Sequence, residues 1–157
     1  MVDFVRSQGT EVFILPDPLD TTPMKMACPT AVSKSGGART MNEILCLDAD
    51  DPEFISGSRS STTWNIPFAL VPTDSTHQEL FALESLGEAV PFLIALSDGT
   101  AAPTVATGNL TPPASRTSFR FNGIVMEVGI DIASNDVVRG TLTVQQSGPM
   151  TRTWKSS

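Results

Sequence analysis

TSFRFNGIVMEVGIDIASNDVVRGTLTVQQ, residues 117–146, decides the fold class. Ile124, Met126, Val128, Ile130 and Ile132 share one parity, while Val125, Glu127, Gly129 and Asp131 take the other. Successive side chains of a strand point to opposite faces, so alternation of this kind marks a half-buried strand. Ser134-Asn135-Asp136 then supplies turn residues. The chain returns with Val138, Leu142 and Val144 on one side and Arg139, Thr141, Thr143 and Gln145 on the other. This predicts a long antiparallel hairpin, apolar on one face and polar on the other. An arm of about 14 residues at ~3.3 Å each reaches roughly 45 Å, where ordinary strands have ~5–6 residues. A strand that long is expected to carry a bulge, with Gly123 or Gly129 as the site. Met126, Val128, Ile130, Leu142 and Val144 are expected to pack inward against a helix over 76–86.

The rest of the chain reads as further short strands. Residues 10–15 and 89–97 are strand-like, and 24–32 is extended with a break at Pro29. Residues 41–47 (MNEILCL) read as a second strand apolar enough to be central. In 62–71, Trp64, Ile66, Phe68 and Leu70 alternate with polar or small neighbours, and Pro67 places its position at an edge or a bulge. One helix is expected over 76–86. Ser75 with Gln78 and Thr76 with Glu79 both fit a capping box, Leu80, Phe81, Leu83 and Leu86 form its apolar face, and Gly87 suits its C-terminal cap. Three stretches read as loops: the Gly-rich 33–39, the long 48–61, and the Ala/Thr/Pro-rich 100–116. The whole, residues 1–157, is expected to be one mainly-β domain, a sandwich or barrel of antiparallel strands with one flanking helix. Residues 1–24 would form an N-terminal arm plus the first strand.

Composition narrows the function. The 157 residues are 40% hydrophobic and 17% charged, enough for a folded core. A formal net charge of −7 argues against a nucleic-acid-binding surface, which needs a basic patch. No run approaches the ~18 apolar residues of a membrane span. Asp3, Arg6 and Glu11 interrupt residues 1–20, which lack the apolar core of a signal peptide, so the expected compartment is the cytoplasm unless lysis releases the protein. Cys28 and Cys46 form no CxxC pair and read as reduced thiols. Lys34 precedes Gly36-Gly37 and so does not fit a phosphate loop. Asp48, Asp50, Asp51 and Glu53 lack EF-hand spacing, which favours a solvated acidic loop or a protein contact over calcium. His77, the sole histidine, has no nucleophile or second ligand near it in sequence and reads as a surface residue. GxSxG, HExxH and GxGxxG are all absent, so neither catalysis nor a cofactor is expected.

An ordered set of short motifs adds to this reading. Ala27-Cys28-Pro29-Thr30 comes first, then Leu45-Cys46-Leu47-Asp48, Ile66-Pro67-Phe68, and Ser75-Thr76-His77-Gln78 with its helix. Leu96-Ser97-Asp98-Gly99-Thr100, Phe121-Asn122-Gly123, residues 130–137 and a terminal Gln-Ser-Gly run follow. From about residue 25 onward the chain resembles the major tail tube protein of long-tailed, non-contractile bacteriophages. The resemblance implies hexameric rings stacked into a hollow tube in the virion tail, assembled in the host cytoplasm. Its implied partners are further copies, a tape measure protein, and tail tip and terminator proteins, with DNA passing through without specific binding and no membrane involved. Because the last expected strand falls close to residue 157, the additional C-terminal immunoglobulin-like domain of some tail tubes is not expected here. On this reading the polar hairpin face, with Glu127, Asp131, Arg139, Thr141 and Thr143, lines the bore. Asp48, Asp50, Asp51, Glu53, Phe54, Ile55 and Arg59 contact a neighbouring subunit or ring. A monomeric β-sandwich that binds a carbohydrate or other ligand is the alternative, disfavoured by the absence of Tyr and the presence of only two Trp. A small hydrolase is disfavoured by the missing catalytic set.

Overall fold

The computed structural model describes residues 4–156. In chain order these form β1 (Glu11–Ile14), β2 (Met24–Lys25), β3 (Ser33–Gly36), β4 (Arg39–Ile44), β5 (Glu53–Arg59) and β6 (Thr62–Ala69). The helix α1 (Ser75–Leu86) follows, then β7 (Ala89–Ala95), β8 (Thr104–Ala106), β9 (Asn109–Thr111), β10 (Ser118–Asp131) and β11 (Arg139–Thr153).

Seven strands form one antiparallel sheet in the order β2-β1-β7-β10-β11-β6-β3. Its two edges belong to a single strip of chain. Met24 and Lys25 pair with β1, and Ser33–Gly36 pair with β6. Between them the Met26 N–H donates to the Val12 carbonyl, and the Thr30 N–H to the Pro67 carbonyl. A sheet whose edges meet through one strip curls into a barrel, and closure leaves those edges nothing to recruit. Pro67 sits where this contact has thinned to an isolated bridge between Pro29 and Phe68, so its missing N–H interrupts no regular ladder.

Alternation fills the barrel. Trp64, Ile66 and Phe68 point inward, as do Val12, Ile14, Val90, Phe92, Ile94, Leu142 and Val144. Three rings stack near its middle: Trp64 on Phe121 at 4.6 Å and Phe121 on Phe92 at 5.4 Å between centroids. Trp64 Nε1 donates to Gln146 Oε1 at 3.0 Å, which satisfies the polar edge of a buried indole.

Helix α1 packs against the barrel through Leu80 and Leu83, while Leu86 of the expected apolar face is exposed. Its N-cap is Asp74, whose carboxylate accepts the Thr76 N–H at 2.8 Å. The capping-box reading had set the start at Ser75 or Thr76, one or two residues late, because an Asp in β conformation caps as well as a Ser or Thr. Gly87 ends the helix with φ 71°, its N–H on the Leu83 carbonyl. His77 is not a surface residue. It is buried, its Nδ1 accepts the Val71 N–H at 3.0 Å, and its Nε2 faces the Ala27 carbonyl at 2.7 Å. Its role is to tie the helix to the closing strip.

Residues 100–116 also depart from expectation. They hold the hairpin β8–β9, turned at Thr107 and Gly108, both with positive φ as a two-residue hairpin turn demands. Leu110, buried with Phe13, Leu15, Leu93 and Ala95, forms a second core outside the barrel. The segment ends in Arg116, which is wholly buried. Its guanidinium donates to the carbonyls of Gly9 (3.0 Å) and Ala101 (3.1 Å) and to Glu11 Oε1 (3.1 Å). A buried cation this well paired ties the N-terminal segment, the end of β7 and the excursion together.

Two further corrections concern 33–61. Ser33–Gly36 is a strand rather than a Gly-rich loop. The expected central strand at 41–47 is instead β4, and 53–59 of the expected loop is β5. The two pair only with each other, in a sheet of their own. Every residue of β4 is exposed, as is every residue of β5 except Gly57. Residues 39–59 therefore form an arm that projects from the barrel. The apolar content of 41–47 suggested burial; the subunit's own core does not provide it.

Candidate functional site

Two surfaces remain for function: one face of the β10–β11 hairpin and the arm. In the hairpin, Glu127 pairs with Thr143, Gly129 with Thr141, and Asp131 with Arg139. Residues paired in register share a face, so the five predicted polar residues do come together on one side. Glu127, Asp131, Arg139 and Thr141 are exposed, and Thr143 is half-buried.

The apolar parity needs correction. Val125 pairs with Val144 and Glu127 with Thr143, so Met126 is an extra residue in a bulge. The extra residue reverses the alternation. Above it Phe121 and Val125 point inward; below it Val128 does. Met126 and Ile130 are exposed, not packed inward, whereas Val128, Leu142 and Val144 are buried as expected. Neither Gly123 nor Gly129 carries the bulge. Gly123 instead makes room for Val144, whose Cγ1 lies 2.4 Å from where a Cβ would stand.

The polar face continues beyond the hairpin. Asn65 pairs with Thr143 and Thr63 with Gln145, and Ser33 and Ser35 of β3 pair with the same two residues of β6. Thr143 Oγ1 donates to Asn65 Oδ1 at 3.3 Å. The result is a curved wall of hydroxyls and amides, with charge gathered at the hairpin's turn end. Arg139 shares this face with Glu127 and Asp131 but makes no ion pair with either. It bonds Asp136 of the turn instead, at 3.2 Å. That bond, with the Val137 N–H, holds the Asp136 carboxyl below its ordinary value, and Asp136 in turn raises Arg139. The free edge of β10 beyond β7 is partly occupied by Glu84 of the helix, whose carboxylate accepts the Val128 N–H.

The arm presents apolar and acidic residues together. Glu43 pairs with Phe54 on one face, and Ile44 with Glu53 on the other. Met41 and Phe54 are each 60% exposed and Ile55 is 56% exposed. Asp48, Asp50 and Asp51 lie in the exposed turn, and Arg59 at the base. No group of three or more His, Cys, Asp or Glu among the described residues is arranged to hold a metal, so the acids of 48–53 do not gather into one.

A model of the lambda-like phage tail tube family matches residues 3–156. The chain belongs to the lambda-like phage tail tube family. It is 27% identical over 149 residues to "Structural protein 3" of Pseudomonas phage PAJU2, covering 92% of this chain and 90% of that one. The tail tube fold also aligns with the SPP1 tail tube at TM-score 0.70 and 8% identity, over 98% of this chain and 81% of the other. A chain of a native gene transfer agent virion aligns at TM-score 0.65 and 12% identity, over 95% and 98%. The tail tube chain is thus a structural protein of the virion tail, one subunit of a multi-subunit tube.

Sequence reasoning missed three features of this tail tube chain. Arg116 stood inside a stretch read as exposed loop, and only its charge amid Pro, Ala and Thr singled it out. His77 gave no signal of burial. The exposed Met126 looked like core because the bulge it forms is invisible in the pattern.

Proposed function

We propose that this chain assembles into hexameric rings that stack into the tail tube, with the polar wall of β10, β11 and β6 facing the bore and the β4–β5 arm binding a neighbouring subunit. The observation that carries this is the cross-strand register, which gathers Glu127, Asp131, Arg139, Thr141 and Thr143 on one solvent-facing surface. A conduit must not hold its cargo. Hydroxyls and amides wet the wall without charge, and the acids repel DNA phosphates over ~8 Å at physiological salt. Asp136 neutralises Arg139 and so removes a cation that could retain DNA. A tail tip complex, a tape measure protein and a terminator complete the tube, which is built in the host cytoplasm. The subunit's work is structural; it takes no cofactor. Residues 1–157 are read as one domain, and the bonds from Arg116 to Gly9 and Glu11 support that reading.

Replacing Glu127 and Asp131 with lysine tests the bore assignment. Tubes should form normally, while genome delivery by phage carrying the variant should fall by at least tenfold. Unchanged infectivity with both lysines present would place this face outside the bore.

A further inference from the structure

A groove of about 630 Å³ opens between residues 5–10, residues 29–34 and the barrel strands. Val32, Trp64, Phe119 and Met150 give it an apolar floor, and Arg6 and Lys34 stand at its rim. A second groove continues it, sharing Lys34 and Met150 and adding Arg59 and Arg152. No carboxylate lines either groove, and none of these four cations makes an ion pair among the described residues.

The arm has the opposite character. Between Arg39 and Arg59 it carries Glu43, Asp48, Asp50, Asp51 and Glu53 with no cation, and none of the five is paired among the described residues. Apolar residues sit among these acids on both of its faces, as Phe54 and Ile55 show. A lone two-stranded hairpin is marginal in water and gains from a partner. The arm cannot fill its own groove. Its base lies at that groove, where Gly37 bonds Ser61, and the six residues of β4 at ~3.3 Å each carry the tip roughly 20 Å away.

We infer that the groove is the socket for the arm of a second copy of this chain. The acidic tip meets the unpaired cations, and apolar arm residues cover the apolar floor. Each subunit offers one arm and one socket that it does not itself join, which makes the contact heterologous and repeatable. This deepens the proposed assembly and rests on it.

Charge reversal tests the pairing. One variant carries Arg6→Glu, Lys34→Glu and Arg152→Glu; another carries Asp48→Lys, Asp50→Lys and Asp51→Lys; a third carries all six. Each is checked for native circular dichroism, then imaged for tubes beside the wild type. The two triple variants should each stay as subunits. Tubes should return in the sixfold variant and in an equal mixture of the two triples. Triple variants that polymerise like the wild type would overturn the socket, as would a sixfold variant that folds and stays monomeric. A wild type that forms no rings or tubes, even with tail-initiation partners, would instead overturn the assembly reading. Zero-length carbodiimide cross-linking of tubes made from mixed ¹⁴N and ¹⁵N wild-type subunits covers the case of a misfolded variant. It should join Lys34 of one subunit to an acid of residues 43–53 in another, and tubes without that link would contradict the socket.

Discussion

β10–β11 and β4–β5 are both antiparallel hairpins with apolar residues in alternating company, yet one builds the core and the other touches none of it. In β10–β11 the inward residues of both strands fall on one face once the bulge is counted, and β6 and β7 extend that face into a closed barrel. In β4–β5 the pairing of Glu43 with Phe54 and of Ile44 with Glu53 puts an apolar and an acidic residue on each face. A hairpin with one apolar face can be satisfied by its own chain. A hairpin with two mixed faces has to be covered from outside, and apolar side chains left in water mark where another molecule sits.

The sharpest way to break this contrast is to truncate one aromatic ring in each region. Phe121→Ala removes the middle of the three-ring stack and should cost about 3–5 kcal/mol of subunit stability, read by chemical denaturation. A loss under about 1 kcal/mol would mean that the stack is not the centre of the core.

A smaller effect is expected where the N-terminal segment joins the barrel. Burial alone would raise Glu11, but hydrogen bonds and charges from Lys25 and Arg116 hold its carboxyl below the ordinary value. A lowered folded value adds stability above the unfolded value and loses it as pH falls through the folded one. Glu11→Gln should therefore be less stable than the wild type at about pH 7, with the gap closing toward about pH 3. A gap that stays constant over that range would show that the Glu11 charge contributes nothing.

The smallest change in stability belongs to the arm. Phe54→Ala should shift the subunit's unfolding by no more than about 0.5 kcal/mol, since the ring is exposed. Tube yield should nevertheless drop, because burying such a side chain in an assembly is worth roughly 1.5–3 kcal/mol. Normal tubes from this variant would remove the arm from the interface.

Much of the barrel was legible. Alternation located β6, β7 and the long hairpin, and the helix ended at Gly87 as its residues suggested. The failures share a physical origin. A bulge changes parity through backbone geometry, so Met126 reads as core until its partner strand is aligned. Burial depends on what stands opposite, so 41–47 and 53–59 look like core strand and loop although they pair in solvent. Arg116 and His77 are buried because distant carbonyls converge on them, and no local pattern records such convergence. That Glu127, Asp131, Arg139, Thr141 and Thr143 share one face was legible because cross-strand pairing follows from the turn at 134–136 and needs no other strand.

A cryo-electron-microscopy reconstruction of tubes assembled from this chain tests the central claim most directly. Glu127, Asp131, Thr141 and Thr143 should face the bore, and each arm should lie against another subunit with Phe54 and Ile55 out of water. A tube with the acids on its outer surface and the arms free in solvent would contradict both assignments.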